Sequence, residues 1–237
     1  MDSEKHFVES SDVDSSQKLK LSSLFRMMQD TATNHAEKIG MGKKETLDRG
    51  FFWVIISYSV SLKRYPKYLE TIEIFTYPQE RNRFLYPRNF IIKDIKGNVI
   101  GTASSIWTLL EKDTHRISLH GLGDIVVPAE HVDGEEPWPE KLDVKDLDFI
   151  EERKVRYSDI DLNGHVNNTK YIEYILDIHD NDFYKENEIV NITINYSKEL
   201  ESGQTIQLFA KKNDNIELIE GKVGQNRIFA AKLTYKK

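Results

Sequence analysis

Between Leu21 and Ile39, apolar residues return every three or four positions: Leu21, Leu24, Phe25, Met28, Ala32, Ala36 and Ile39. That spacing gathers them on one face and predicts an amphipathic helix. Gly40 stands where a left-handed C-terminal cap is expected. His35 lies near the stripe, where packing or solvation is the ordinary fate of a histidine. Ahead of the helix, His6 to Asp14 reads as a short strand running into a polar turn. Behind it the period changes to two. From Phe52 to Leu62 the side chains of Tyr58, Val60 and Leu62 point one way and Ser57, Ser59 and Ser61 the other, as in a strand. Glu70 to Tyr77 and Arg88 to Ile95 are further strands. Lys96-Gly97-Asn98 marks a hairpin turn into a long strand from Val99 to Leu110. One helix followed by a run of antiparallel strands predicts an α+β layer with the helix packed on the sheet.

The periodicity fades from Lys112 to Leu147, where Val132 to Glu140 carries a glycine, two prolines and a run of acids, the composition of a linker. Trp138, between the prolines, is expected to pin the linker to a domain surface. The pattern then restarts. Ser11-Asp12-Val13-Asp14 matches Ser158-Asp159-Ile160-Asp161 at an offset of 147 residues, which also carries the helix from Leu21 onto one from Asn168. Thr71-Ile-Glu-Ile-Phe75 matches Thr205-Ile-Gln-Leu-Phe209 at an offset of 134, which carries the strand ending at Leu62 onto Ile192 to Tyr196. Order is kept with one change of spacing, so two tandem copies of one fold are expected, packed as a pseudo-dimer: residues 1–131, a linker over 132–147, and residues 148–237.

Candidate chemistry concentrates in the second copy. From Arg156 to Tyr171 the chain places Asp159, Asp161, Asn163 and His165 at every second position, followed by Asn167 and Asn168. Asp, Asn and Gly favour turns, and Ile172, Ile175 and Leu176 then mark an amphipathic helix over Thr169 to His179. Polar groups are thus delivered to the mouth of a helix, where free backbone N–H groups favour negative charge. One asparagine would serve as an N-cap; a cap does not account for Asp161, Asn163 and His165 together. In the first copy the positions of Asn163, His165 and Glu199 are held by Ser16, Lys18 and Tyr65, so a single site per chain is expected.

Composition narrows the classes. The chain of 237 residues has no cysteine and a net charge of −6, with a pI near 5.7 and a mean hydropathy of −0.55. Disulfides, thiolate metal sites and a cysteine nucleophile are excluded, and the acidic balance argues against nucleic acid as a partner. No apolar run approaches the ~20 residues of a membrane span. The opening Met1-Asp-Ser-Glu-Lys-His lacks the features of a signal peptide, so a cytoplasmic location is expected.

At Asp161-Leu-Asn163-Gly-His165-Val-Asn167-Asn168-x-x-Tyr171, with Tyr196-Ser-Lys-Glu199 some thirty-four residues past the histidine, the chain resembles the acyl-acyl-carrier-protein thioesterases. The resemblance runs over nearly the whole length and implies two tandem hot-dog units, each a long helix packed on a curved antiparallel sheet. It implies hydrolysis of fatty acyl thioesters to free fatty acid and holo carrier protein, without metal or cofactor. It also implies acyl carrier protein, with its phosphopantetheine-linked acyl chain, as partner; a homodimer is allowed. Plant members tend to have cysteine directly after the matching glutamate; here Leu200 takes that place.

A cysteine-free site needs water as nucleophile, activated by a carboxylate or imidazole. The resemblance raises Glu199 above its neighbour Glu201 as general base. His165 suits water orientation or proton delivery to sulfur, Asp161 holds the turn in register, and Asn163 suits the thioester carbonyl or the attacking water. The set is better defined than the roles within it. Met27, Met28, Trp53 and Trp107 are candidate acyl-chain linings, plain core being the simpler role, and Asn167 is a candidate substrate contact with capping as its simpler role. Arg81, Arg83, Arg88, Arg153, Lys154 and Arg156 are candidate carrier contacts or solvated charges. An acyl-CoA thioesterase, a non-catalytic acyl-binding module and, more weakly, a dehydratase remain open on the sequence.

Overall fold

The computed structural model describes residues 1–119, 129–130 and 137–236. The first half contributes β1 (Asp2–Phe7), α1 (Leu21–Lys38), α2 (Lys43–Asp48), β2 (Phe51–Leu62), β3 (Thr71–Pro78), β4 (Tyr86–Asp94) and β5 (Val99–Glu111). The second contributes β6 (Asp148–Lys154), α3 (Asn168–Leu176), α4 (Asn181–Glu186), β7 (Ile189–Tyr196), β8 (Thr205–Asn213), β9 (Ile216–Val223) and β10 (Asn226–Tyr235). Among the described residues the strands form one antiparallel sheet in the order β1-β3-β4-β5-β2-β7-β10-β9-β8-β6. Read from either edge inward, the order within a half is the same, and the halves join at β2 and β7. At that seam Ser59 faces Thr193, positions related by the offset of 134, with their hydroxyl oxygens 3.1 Å apart. The pseudo-twofold axis of the repeat passes through this pair. No described helix is long and apolar enough to cross a membrane.

Helix α1 follows its apolar stripe closely. Leu21, Leu24, Phe25, Met28 and Ala32 are buried against the first half's sheet, and truncating a side chain such as Met28 to alanine would cost about 2–5 kcal/mol. Gly40 takes φ +70° and ends the helix, its N–H donating to Glu37 O. The second helix is half as long: α3 has 9 residues against 18 for α1. This shortening supplies most of the drop from the 147-residue to the 134-residue offset.

The serine side of β2 is buried as well, which strict alternation does not predict. The segment from Pro137 to Val144 lies across it: Ser104 Oγ donates to Pro137 O at 2.7 Å, and Asn195 accepts from Leu142 N at 2.7 Å and donates to Glu140 O at 3.0 Å. Polar side chains are needed there because they satisfy the backbone of a crossing strap. Leu142 and Val144 anchor the strap against Ala230, whereas Trp138 stays 40% exposed and is not the pin its flanking prolines suggested. Residues 132–136 of the expected linker lie outside the described residues.

One interior position separates the halves. The register of β3 with β4 and of β8 with β9 makes Arg88 and Glu217 equivalent. Both are buried, and each meets a histidine. Arg88 Nη1 lies 3.0 Å from His35 Nδ1 and donates to Thr76 Oγ1 at 3.0 Å. Glu217 lies 2.9 Å from His179 Nε2 and accepts from the Tyr235 hydroxyl. Arg88 is therefore no carrier contact: its guanidinium is under α1, not at the surface.

Candidate active site

Each half carries the same tight turn ahead of its helix, built on a buried aspartate. In the second half the Asp159 carboxylate accepts from Arg156 N at 2.8 Å and from the Tyr174 hydroxyl at 2.8 Å. Asp161 N then donates to His165 O, Gly164 N to Asp161 O, and Val166 N to Leu200 O. Gly164 sits at φ +86°, in the left-handed region; its counterpart Gln17 is at +61°, so the first half keeps the turn with a less suited residue. Asn167 ends the segment as the N-cap of α3, its Oδ1 accepting from Thr169 N at 2.9 Å and from the Thr169 hydroxyl at 2.8 Å.

The turn presents its polar side chains together. Asp161 Oδ1 accepts from Asn163 N at 2.7 Å, and Asp161 Oδ2 lies 3.4 Å from Asn163 Nδ2. His165 pairs with Glu201 in a short antiparallel bridge. That bridge brings the loop after β7 alongside the turn, and His165 Nε2 comes within 3.4 Å of Glu199 Oε2. Both side chains are partly open to solvent, at 28% and 42%, so a substrate and a water can reach them. Beneath them Tyr171 is held in its neutral form, its pKa raised by burial and by the Glu199 charge. Its ring packs edge-on against Tyr196 and Phe229, each 5.6 Å away. An imidazole–carboxylate pair thus stands at an accessible surface with aromatic rings packed nearby, and an anchored amide lies on the same turn as the imidazole, an arrangement suited to activating water beside a polarised carbonyl.

The four residues expected to carry chemistry stand as two side-chain pairs, Asp161 with Asn163 and His165 with Glu199, on the turn and the loop bridged to it. The expected linings do not meet them directly. Met28 is fully buried in the main core. Trp53 belongs to a smaller cluster with Met41, Tyr86 and Leu109, and Trp107 packs against both clusters. Each indole N–H is bound within the protein, Trp53 to Met41 O at 2.9 Å and Trp107 to Ser105 Oγ at 2.9 Å. Sequence reasoning gave Tyr171 and Asp159 no role, although both stand in the motif. It missed Lys43, whose Nζ donates to Asn163 Oδ1 at 2.8 Å across 120 residues of chain; nothing local marks that contact.

The same place in the first half holds other groups, paired with the second half. Lys18, at the position of His165, forms an ion pair with Glu188 and lies 5.8 Å from the Tyr65 ring. Tyr65, at the position of Glu199, donates to Ile189 O at 2.8 Å.

Two family models match the chain: the acyl-ACP thioesterase N-terminal domain over residues 2–120 and the acyl-ACP thioesterase C-terminal domain over residues 143–233. The palmitoyl-acyl carrier protein thioesterase of Cuphea hookeriana is 30% identical, over 73% of this chain and 45% of its own length. The oleoyl-acyl carrier protein thioesterase 2 of Arabidopsis thaliana is 25% identical, over 94% of this chain and 66% of its own. The chain spans about half the length of the first of the curated relatives it matches. Among solved structures, an acyl-ACP thioesterase from Bacteroides thetaiotaomicron superposes with a TM-score of 0.90 at 26% identity, covering 99% of this chain and 97% of that one. The 12:0-ACP thioesterase from Umbellularia californica shares the fold, with a TM-score of 0.84 at 21% identity over 99% and 96% of the two chains.

Proposed function

The chain belongs to the acyl-ACP thioesterase family, and from that premise we propose that it hydrolyses fatty acyl thioesters of acyl carrier protein in the cytoplasm. The products are free fatty acid and holo carrier protein, as in fatty acid biosynthesis. The observation that carries this reading is the approach of His165 Nε2 to Glu199 Oε2, 3.4 Å, beside the Asp161–Asn163 turn in one half only. Glu199 takes a proton from water as the water oxygen attacks the thioester carbonyl carbon. The Asn163 amide, fixed by Asp161, stabilises the oxyanion. His165 orients the water and passes the proton to the sulfur as the carbon–sulfur bond breaks. The acyl chain turns towards the first half, on the side of Lys43 and the Trp53–Met41 cluster, the contact from that half to the Asp161–Asn163 turn being that of Lys43.

The test is thiol release from an acyl-carrier-protein substrate, with the same acyl group on CoA in parallel. Glu199→Gln and His165→Ala should each lose about 10²–10⁴-fold in kcat, with the double variant barely worse than the poorer single one. Preference for the CoA ester would make the protein an acyl-CoA thioesterase, and binding without thiol release a non-catalytic module. Near-normal turnover in Glu199→Gln would move the base to Asp161 or Glu201.

A further inference from the structure

The residue nearest the polar set that no sequence signal marks is Lys43, and it comes from the opposite half. Helix α2 begins at Lys43 and is held firmly. Glu37 Oε1 accepts from Lys43 N at 2.9 Å, Thr46 Oγ1 donates to Gly42 O at 2.9 Å, and Met41 O accepts from the Trp53 indole. Gly42 permits this approach, since a Cβ there would lie 1.9 Å from Glu37 Oε2. From this anchored start Lys43 Nζ donates to Asn163 Oδ1.

The repeat supplies an internal comparison. In the other half, the first residue of α4, Asn181, accepts from Ser15 Oγ at 2.8 Å, and Ser15 sits in the turn equivalent to that of Asn163. Each half's short helix therefore reaches across to the other half's turn. The contact is neutral where the turn carries Asp14, Ser16 and Lys18, and it brings an ammonium where the turn carries Asp161, Asn163 and His165.

We propose that Lys43 is a positioning residue of the active site, acting through Asn163; the inference rests on the thioesterase reading above. An asparagine amide can present either its oxygen or its nitrogen to a substrate. With Lys43 donating to Oδ1, the oxygen is committed, and Nδ2 is turned towards Asp161 with its second hydrogen left for the substrate carbonyl. An ammonium can only donate, so it selects this one orientation. A neutral partner such as serine at that place would select neither.

The experiment compares kcat and KM of wild type, Lys43→Met, Lys43→Arg, Asn163→Ala and the Lys43→Met/Asn163→Ala double variant on acyl carrier protein substrate. Charge-assisted hydrogen bonds are the stronger class, so Lys43→Met should lower kcat about tenfold with KM changed less than about twofold. Lys43→Arg should recover most of the loss. In the Asn163→Ala background, Lys43→Met should have no further effect, because its target is gone. Unchanged kcat in Lys43→Met, or losses that simply add in the double variant, would overturn the proposal. A change confined to KM would also overturn it and assign Lys43 to substrate capture. A wild type that releases no thiol would instead sink the thioesterase reading, and this inference with it.

Discussion

His35 offers a prediction whose size follows from its surroundings. The residue belongs to the buried face of α1 and is 7% exposed, and its Nδ1 lies 3.0 Å from the Arg88 guanidinium. Burial first, and the Arg88 charge second, pull its pKa from 6.5 to about 4; the amino terminus and Lys38 act the same way, and Asp2 opposes them. The neutral imidazole is therefore the form the fold accepts. Above pH 6.5 both folded and unfolded chains hold it neutral, and its contribution to stability is complete. As the pH falls below 6.5 the unfolded chain gains a proton that the folded chain refuses until about pH 4, and stability is lost through that window. At 1.36 kcal/mol per unit the full gap has a ceiling of ~3 kcal/mol, of which ~2 kcal/mol is lost by pH 5. His35→Gln keeps an acceptor for Arg88 and cannot protonate. Urea unfolding followed by tryptophan fluorescence at pH 7 and pH 5 should show wild type losing ~2 kcal/mol more than the variant. His6, whose pKa burial also lowers, contributes alike to both proteins. Equal losses in wild type and His35→Gln would refute the reasoning.

Two further outcomes separate scaffold from chemistry. Lys18→Ala and Tyr65→Phe, at the first-half counterpart of the site, should leave kcat near wild type; Tyr65→Phe should lower stability by about 1 kcal/mol through loss of its bond to Ile189 O. A fall of about 10³-fold in kcat from either would place chemistry in the first half. Asn167→Ala should destabilise by about 0.5–2 kcal/mol while Asn167→Asp, which keeps the cap, should not; a large activity loss in Asn167→Asp with stability intact would return Asn167 to the substrate site.

The parts of this structure legible in the sequence are those set by local pattern. The stripe from Leu21 fixes α1, the alternation through Tyr58, Val60 and Leu62 fixes β2, and the two offsets expose the repeat before any contact is seen. Asp161, Asn163 and His165 could be grouped because one turn holds them. Glu199 could be joined to them only through the resemblance, since Lys198-Glu-Leu-Glu201 by itself reads as surface charge. What stayed hidden depends on distant partners. Lys43 meets Asn163 across the two halves, and Arg88 looks like any surface cation until the sheet register puts it under α1. Ser57 and Ser59 read as solvent-facing because the strap that covers them begins some eighty residues later. The short helices α2 and α4 fall below the length at which periodicity speaks.

The buried arginine of one half and the buried glutamate of the other bear on why two copies should share a polypeptide at all. In an assembly of identical subunits every substitution is made twice, and equivalent positions must hold the same residue. Arg88 and Glu217 could not coexist under that constraint, nor could an 18-residue helix and a 9-residue one. Fusion lifts it. One lobe is free to grow a longer helix over a cation-bearing interior, while the other tightens around an accessible carboxylate and imidazole. The division has a stoichiometric consequence: titrating the purified protein with a tight-binding acyl analogue should count one occupied centre per 237-residue chain, where a symmetric ancestor of the same mass would count two.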